Sequence, residues 1–174
     1  MANLDLVRDF VNSVDLEEQR DELGDAPGLV RWLARHRLAG ARARARDADA
    51  AEARAVREAL RELMRANNGV TVDEAAAAAT LDAAARRAGL AVRFDSGAIR
   101  LAPRERGVQG ALGSVLAAAA EAMADGSWQR LKACRSDTCR WAFVDNARNR
   151  SRQWCSMSVC GNRQKARSFR ERHA

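Results

Sequence analysis

"CRSDTCRWAFVDNARNRSRQWCSMSVC", residues 134 to 160, holds all four cysteines of a 174-residue chain. They form two close pairs, Cys134-x4-Cys139 and Cys155-x4-Cys160, with fifteen residues between the pairs. Two pairs set this way are the layout of a four-thiolate zinc site. Zinc takes four ligands at the corners of a tetrahedron, about 2.3 Å from each sulfur. A short turn aims two thiolates at one point, and the intervening span has to go out and return, which suits a hairpin. Disulfides would use the same cysteines but are disfavoured in a reducing compartment. Four unrelated buried thiols would not crowd into 27 of 174 positions. An iron–sulfur cluster could be held by the same ligands. The reading adopted is one structural zinc on Cys134, Cys139, Cys155 and Cys160.

The span between the pairs supports a hairpin. "RWAFVD" (140–145) puts Trp141 and Phe143 on one face, "NARNRS" is a polar turn, and "RQWCS" (152–156) returns with Trp154 beside the third ligand. A segment this small has no sufficient core, so metal binding supplies much of its folding energy. Trp141, Phe143 and Trp154 read as the miniature core around the metal rather than as base-stacking platforms. After Cys160, Gly161 permits an unusual backbone turn and Asn162 starts a helix by capping it. On that helix Ala166 and Phe169 face inward, while Arg163, Arg167 and Arg170 form a basic stripe at i, i+4, i+7. Arg148, Arg150 and Arg152 add charge at the same end. Arginine forks match phosphate oxygens and guanine edges, so these six arginines are the candidate nucleic-acid contacts.

Charge is unevenly spread. Residues 130–174 carry twelve Lys/Arg against three Asp/Glu, while the rest of the chain is close to neutral. Arginine outnumbers lysine 28 to 2 throughout, so the local imbalance, not the arginine count, points to a polyanion, nucleic acid first. No apolar run is long enough to cross a membrane. The start, "MANLDLVRDFVNS", does not read as a signal peptide, and the expected location is the cytoplasm.

Upstream of the cysteines the pattern is helical. Leu6, Phe10 and Val14 make one stripe. Asp25 caps a helix with Pro27 in its first turn and Leu29, Trp32 and Leu33 inward. A third helix runs from an N-cap at Asp47 to the stop signal Asn67-Asn68-Gly69, with Val56, Leu60, Leu63 and Met64 on one face. The alternating "ARARARD" (41–47) reads as a solvated helix or link. "TVDEAAAAATLDAAARRAG" is a fourth helix closed by Gly89. "LAVRFDSGAIRLAP" signals a hairpin around Asp95-Ser96-Gly97, and an alanine-rich helix follows from about Val108 to Ala124. The expected fold is mainly α: a helical N-terminal domain (1–127) with one small β-hairpin, plus a C-terminal treble-clef-like zinc finger (128–174). The two halves are expected to have separate cores, and the body to fold without the finger.

The block from Cys134 to Arg163 resembles the CGNR zinc finger, named for the residues present here as Cys160-Gly161-Asn162-Arg163. The four cysteines, the W-x-F-x-D strand, "NRSRQWCSM" and the tetrad carry the likeness, over residues from about 130 to 172. In that family the finger follows a helical domain called ABATE, described as a stress-induced transcription regulator. "DFVNSVD" (Asp9 to Asp15) and "LVRWLARHRL" resemble its start. Leu81-Asp82 stands where a Leu-Asn pair would be looked for. The resemblance implies zinc on the four cysteines and DNA binding by the finger.

Nothing suggests an enzyme. His36 sits between Arg35 and Arg37 as a surface histidine, and His173 is one residue from the end. No phosphate loop is present, and four thiolates close a zinc shell that catalysis would need open. Three functions fit: a regulator binding double-stranded DNA, an RNA-binding or ribosome-associated zinc protein, and a sensor or interaction module. A homo-oligomer through the helical domain fits any of them.

Overall fold

A computed structural model describes residues 4–40, 42–95 and 97–173. Ser96 of the expected hairpin turn, Ala41 of the arginine-alternating stretch and the first three residues lie outside these.

Helix α1 (Leu4–Val11) opens the chain. Its inward face is Val7, Phe10 and Val11. The expected Leu6–Phe10–Val14 stripe is corrected: the helix ends at Val11, and Val14 begins the two-residue strand β1 (Val14–Asp15), paired with β2 (Arg20–Asp21). Helix α2 (Ala26–Arg35) starts as read, with the Gly28 N–H donating to Asp25 Oδ1 (2.7 Å) and Leu29, Trp32 and Leu33 buried.

Helix α3 (Asp47–Ala66) is the central element. Residues 42–46 form an irregular link before it. Its N-cap is Arg46 rather than Asp47: the Arg46 N–H donates to Asp49 Oδ2 (2.7 Å), while Asp47 Oδ1 accepts from the Ala26 N–H. Val56, Leu60 and Met64 are buried as expected, and Leu63 is half-buried. So are two arginines, Arg57 and Arg61, which the apolar periodicity did not single out. Arg57 forks onto Asp21 (2.6 and 2.9 Å) and also bonds Glu58. A buried guanidinium needs such partners to offset its desolvation.

Helix α4 (Glu74–Arg87) is capped by Asp73, which accepts from the Ala76 N–H (2.9 Å), and Gly89 follows at φ +59°. The hairpin β3 (Ala91–Asp95) and β4 (Ala98–Ala102) is antiparallel, Phe94 opposite Ile99. Helix α5 (Gly107–Ala124) is buried along most of its length, as an alanine-rich, charge-poor helix must be. A single turn (Ser127–Arg130) then leads into β5 (Leu131–Ala133), which pairs with β6 (Ala142–Val144). Helix α6 (Asn162–Arg172) ends the chain.

One contiguous apolar core runs through body and finger. Trp128, Leu131, Ala133 and Ala142 belong to the same buried cluster as Phe10, Trp32, Leu60 and Leu112. The expectation of separate cores is therefore corrected. β5 lies on α3 and β6 on α1, so the finger's sheet is a layer of the body. Polar clamps reinforce the join. Asn67 Nδ2 donates to the Trp128 and Leu131 carbonyls (both 2.9 Å). Asn68 Nδ2 donates to those of Ala133 and Gln153 (2.8 and 2.9 Å). Arg61 ties the Val11 carbonyl (2.6 Å) to the Arg140 carbonyl (2.7 Å).

Candidate metal centre and basic groove

The first cysteine pair sits at the tip of the β5–β6 hairpin. Cys134 follows β5 directly, and its N–H donates to the Trp141 carbonyl (2.9 Å). The Cys139 and Arg140 N–H groups both donate to the Ser136 carbonyl (3.0 Å each), closing a tight turn. The hairpin thus flanks the first pair. The expected pairing of 140–145 with 152–156 is corrected: the latter stretch is irregular, because β5 already occupies one edge of β6 and Asn12 the other.

Of the second pair, Cys155 ends the irregular stretch after the loop and Cys160 lies in a π-helical turn, Met157–Gly161, that runs straight into α6. Ser156 caps it, accepting from the Val159 N–H (3.3 Å), and the Asn162 side chain donates to the Ser158 carbonyl instead of capping. Gly161 is helical (φ −63°), so the expected special turn is absent. Its smallness matters for space: a Cβ there would come within 2.8 Å of Met157 Sδ and 3.4 Å of Trp154.

All four Sγ atoms lie within 4.8 Å of one another. Cys139 to Cys155 is 3.6 Å and Cys155 to Cys160 is 3.7 Å. A regular zinc–thiolate tetrahedron has sulfurs about 3.8 Å apart. The donor set fits one structural zinc, with four protein ligands and no open position. Electrostatics agree. Without a cation, a hydrogen bond from Cys139 holds the Cys134 thiol down at about 5. The same bond pushes Cys139 up, and burial pushes Cys155 up to about 12 and raises Cys160. One sulfur can ionise and the others resist, so four thiolates need a dication among them.

The loop from 145 to 152 is braced by a buried pair. Lys132 Nζ donates to Asp145 Oδ2 (2.8 Å) and to the Arg150 and Arg152 carbonyls (2.5 and 3.2 Å). Asp145 also accepts from the N–H groups of Ala147 and Arg152 (3.0 Å each). Arg152, read as a nucleic-acid contact, is turned inward. Its guanidinium lies 4.7 Å from the Phe143 ring centroid and donates to the Trp154 and Cys155 carbonyls. Phe143 is buried and Trp141 and Trp154 are half-buried, in line with a miniature core.

Helix α6 buries no residue. Ala166 and Phe169 are exposed, correcting their expected inward packing: nothing of the body reaches that side, and Phe169 stacks on His173 instead (centroids 4.1 Å). The arginine stripe does come together. Arg163, Arg167 and Arg170 line a groove of about 260 Å³ between α6 and the Ser136–Thr138 turn, and Arg135 joins them from the opposite wall. Arg135 was not among the sequence candidates. Its Nε donates to the Asn68 carbonyl (2.7 Å), and it lies over Gly69, whose φ of +72° and absent Cβ make room for it. The carboxylate in the lining, Asp137, is shared with Arg65 and Arg140 (3.4 and 3.7 Å). Arg163 also pairs with Glu17 of the body, and Arg167 with Glu171 (2.9 Å). Arg148 and Arg150 do not line the groove; Arg150 bonds Gln129 (3.0 Å).

A zinc-fixed hairpin and helix docked on a helical body define a zinc-finger protein of mainly α class. Residues 130–173 match the protein-family model described as "CGNR zinc finger". Residues 4–126 match ABATE, described as "Putative stress-induced transcription regulator", and the chain belongs to that family. No curated protein matches the chain. No described helix is long and apolar enough to cross a membrane.

Proposed function

We propose that the chain is a transcription regulator that binds double-stranded DNA through the groove between α6 and the Ser136–Thr138 turn. The observation that carries this is the convergence of Arg135, Arg163, Arg167 and Arg170 on one concavity. Guanidinium forks on a concave wall suit a phosphate backbone. Helix α6 suits the same partner. It is eleven residues long, buries no residue and turns Arg163, Arg167 and Arg170 to the groove. A major groove about 12 Å wide admits a helix by such an exposed face. The zinc serves structure in this reading, holding the turn and the helix in register, and no catalytic step is assigned. A cytoplasmic location goes with it, in keeping with thiols kept reduced.

Competition separates this reading from its rivals. Zinc-loaded protein is offered labelled duplex DNA against unlabelled DNA duplex, RNA hairpin and polyglutamate. Displacement by DNA at the lowest concentration is expected. Stronger displacement by RNA, or no retention on either nucleic acid at low salt, overturns it.

A further inference from the structure

The arginine groove takes up one side of α6 only. A second groove, of about 360 Å³, runs along the other side, and Trp154 and Gln164 line both. Ser168 is the one half-buried residue of the helix. At about 3.6 residues per turn, Gln164 and Ser168 fall on the side that faces the finger. Ala166 and Phe169 fall on the opposite side and form a crest between the two grooves. Phe169 is 57% exposed, and its ring stacks on His173 at the end of the helix.

Cations flank that crest on both sides. Arg163 and Arg170 stand roughly 70–90° round the helix to one side and line the first groove. Lys165 and Arg172 stand as far round to the other and line the second. The one acidic residue of α6, Glu171, lies away from the crest and pairs with Arg167 (2.9 Å). An uncharged crest between two cationic flanks matches the section of a DNA major groove, whose floor is base edges and whose two rims are phosphate backbones. The widths agree. A helix with its side chains is about 10–12 Å across, and the major groove is about 12 Å wide. A helix lying on a lipid surface needs a broad apolar face, and two residues in eleven do not make one.

The crest favours apolar readout over hydrogen bonding. Asn162, one turn before Ala166, has its amide on the Ser158 carbonyl (3.2 Å). Ala166 and Phe169 remain, and the apolar group that base edges present in the major groove is the C5-methyl of thymine. We propose that Phe169 reads a thymine methyl on the floor of the DNA major groove, with Ala166 small enough beside it to let the crest approach. Arg163 and Arg170 then lie along one backbone, and Lys165 and Arg172 are turned toward the other. This inference rests on the reading of the finger as a binder of double-stranded DNA, and names the residue that gives it sequence preference.

The test uses the full zinc-loaded chain and the duplexes it selects from a random-sequence pool. These are expected to share at least one T·A pair. Replacing that thymine by deoxyuridine removes the methyl alone and is expected to weaken binding about fourfold, as the loss of one buried methyl-sized group does. Phe169→Ala is expected to keep one zinc per chain, bind the selected duplex at least about fivefold more weakly, and no longer distinguish thymine from deoxyuridine. Its salt dependence is expected to match the parent's, because no phosphate contact is lost. Phe169→Leu keeps an apolar tip and is expected to recover part of the thymine preference. No retention of any duplex would overturn the DNA reading and this inference together. Duplex binding by the parent without a thymine preference, or a preference that survives in Phe169→Ala, would overturn the inference and leave the DNA reading standing. Retention on phosphatidylserine vesicles that Phe169→Ala abolishes, with duplex binding unchanged, would overturn it too and assign the crest to a lipid surface.

Discussion

Asn12 and Ala142, 130 residues apart, bond to one another as two strands would. Asn12 Nδ2 donates to the Ala142 carbonyl (2.9 Å), and the Ala142 N–H donates to Asn12 Oδ1 (2.8 Å). The side chain thereby covers the edge of β6 that β5 leaves open. Asn12→Ala strips both partners from a buried backbone and is expected to cost about 2 kcal/mol. Asn12→Asp keeps the acceptor but sets a carboxylate oxygen against the Ala142 carbonyl, and is expected to cost at least as much. Urea unfolding of the zinc-loaded proteins measures both.

The shared core makes body and finger one cooperative unit. Removing zinc with a chelator is expected to lower the melting temperature of the whole chain in a single transition. The fragment 1–126 loses Trp128, Leu131, Ala133 and Ala142 from its core, along with the carbonyls that Asn67 and Asn68 bond. It is expected to keep helical circular dichroism but lose a sharp melt. Two separate calorimetric transitions in the full chain would show instead that the halves unfold independently.

The Lys132–Asp145 pair sets an acid limit. Burial alone would raise the Asp145 carboxyl, but bonds from Lys132 and from the Ala147 and Arg152 N–H groups outweigh it and hold the group below the usual carboxylate range. Its folded value is thus below the unfolded one of about 3.9. The stabilisation is complete above that unfolded value and disappears as pH falls through the folded one. Asp145→Asn leaves buried Lys132 without a counter-charge, at about 3–5 kcal/mol near neutrality. The variant's disadvantage in urea midpoint is expected to shrink between pH 7 and pH 3. A constant gap would mean that Asp145 acts through its shape, not its charge.

Arg152 and Arg170 separate structure from recognition. Arg152→Ala removes the contact with Phe143 and the bonds to the Trp154 and Cys155 carbonyls, so weaker zinc retention in a chelator competition is the expected result. Arg170→Ala is expected to leave zinc retention unchanged and weaken DNA binding. Equal zinc loss in both would remove the distinction.

The metal ligands were legible because thiol spacing is itself the chemistry, α2 because its Asp25 cap and its apolar period agree, and α3 to α5 because apolar or alanine-rich runs stand between stop signals. The join between body and finger was not. Asn67-Asn68-Gly69 reads as a helix stop, and its second role, clamping backbone carbonyls more than sixty residues away, leaves no mark on local pattern. Arg57 and Arg61 hide in a chain rich in arginine. Three-residue strands such as β5 and β6 are too short for a period to declare itself, so the finger's hairpin was placed on the wrong side of Cys139. The α6 stripe was read correctly as basic. Its apolar positions suggested a packing face, and no body surface is there to meet it.

The central claim, that the arginine groove holds DNA, is tested most directly by the salt dependence of duplex binding for parent and Arg167→Glu/Arg170→Glu, with zinc measured in the same samples. Four phosphate contacts predict a log–log slope of about −3.6 for the parent. The double variant is expected to keep one zinc per chain, bind at least about tenfold more weakly, and show a slope shallower by about 1.8. Unchanged affinity and slope in a zinc-loaded variant would contradict the account.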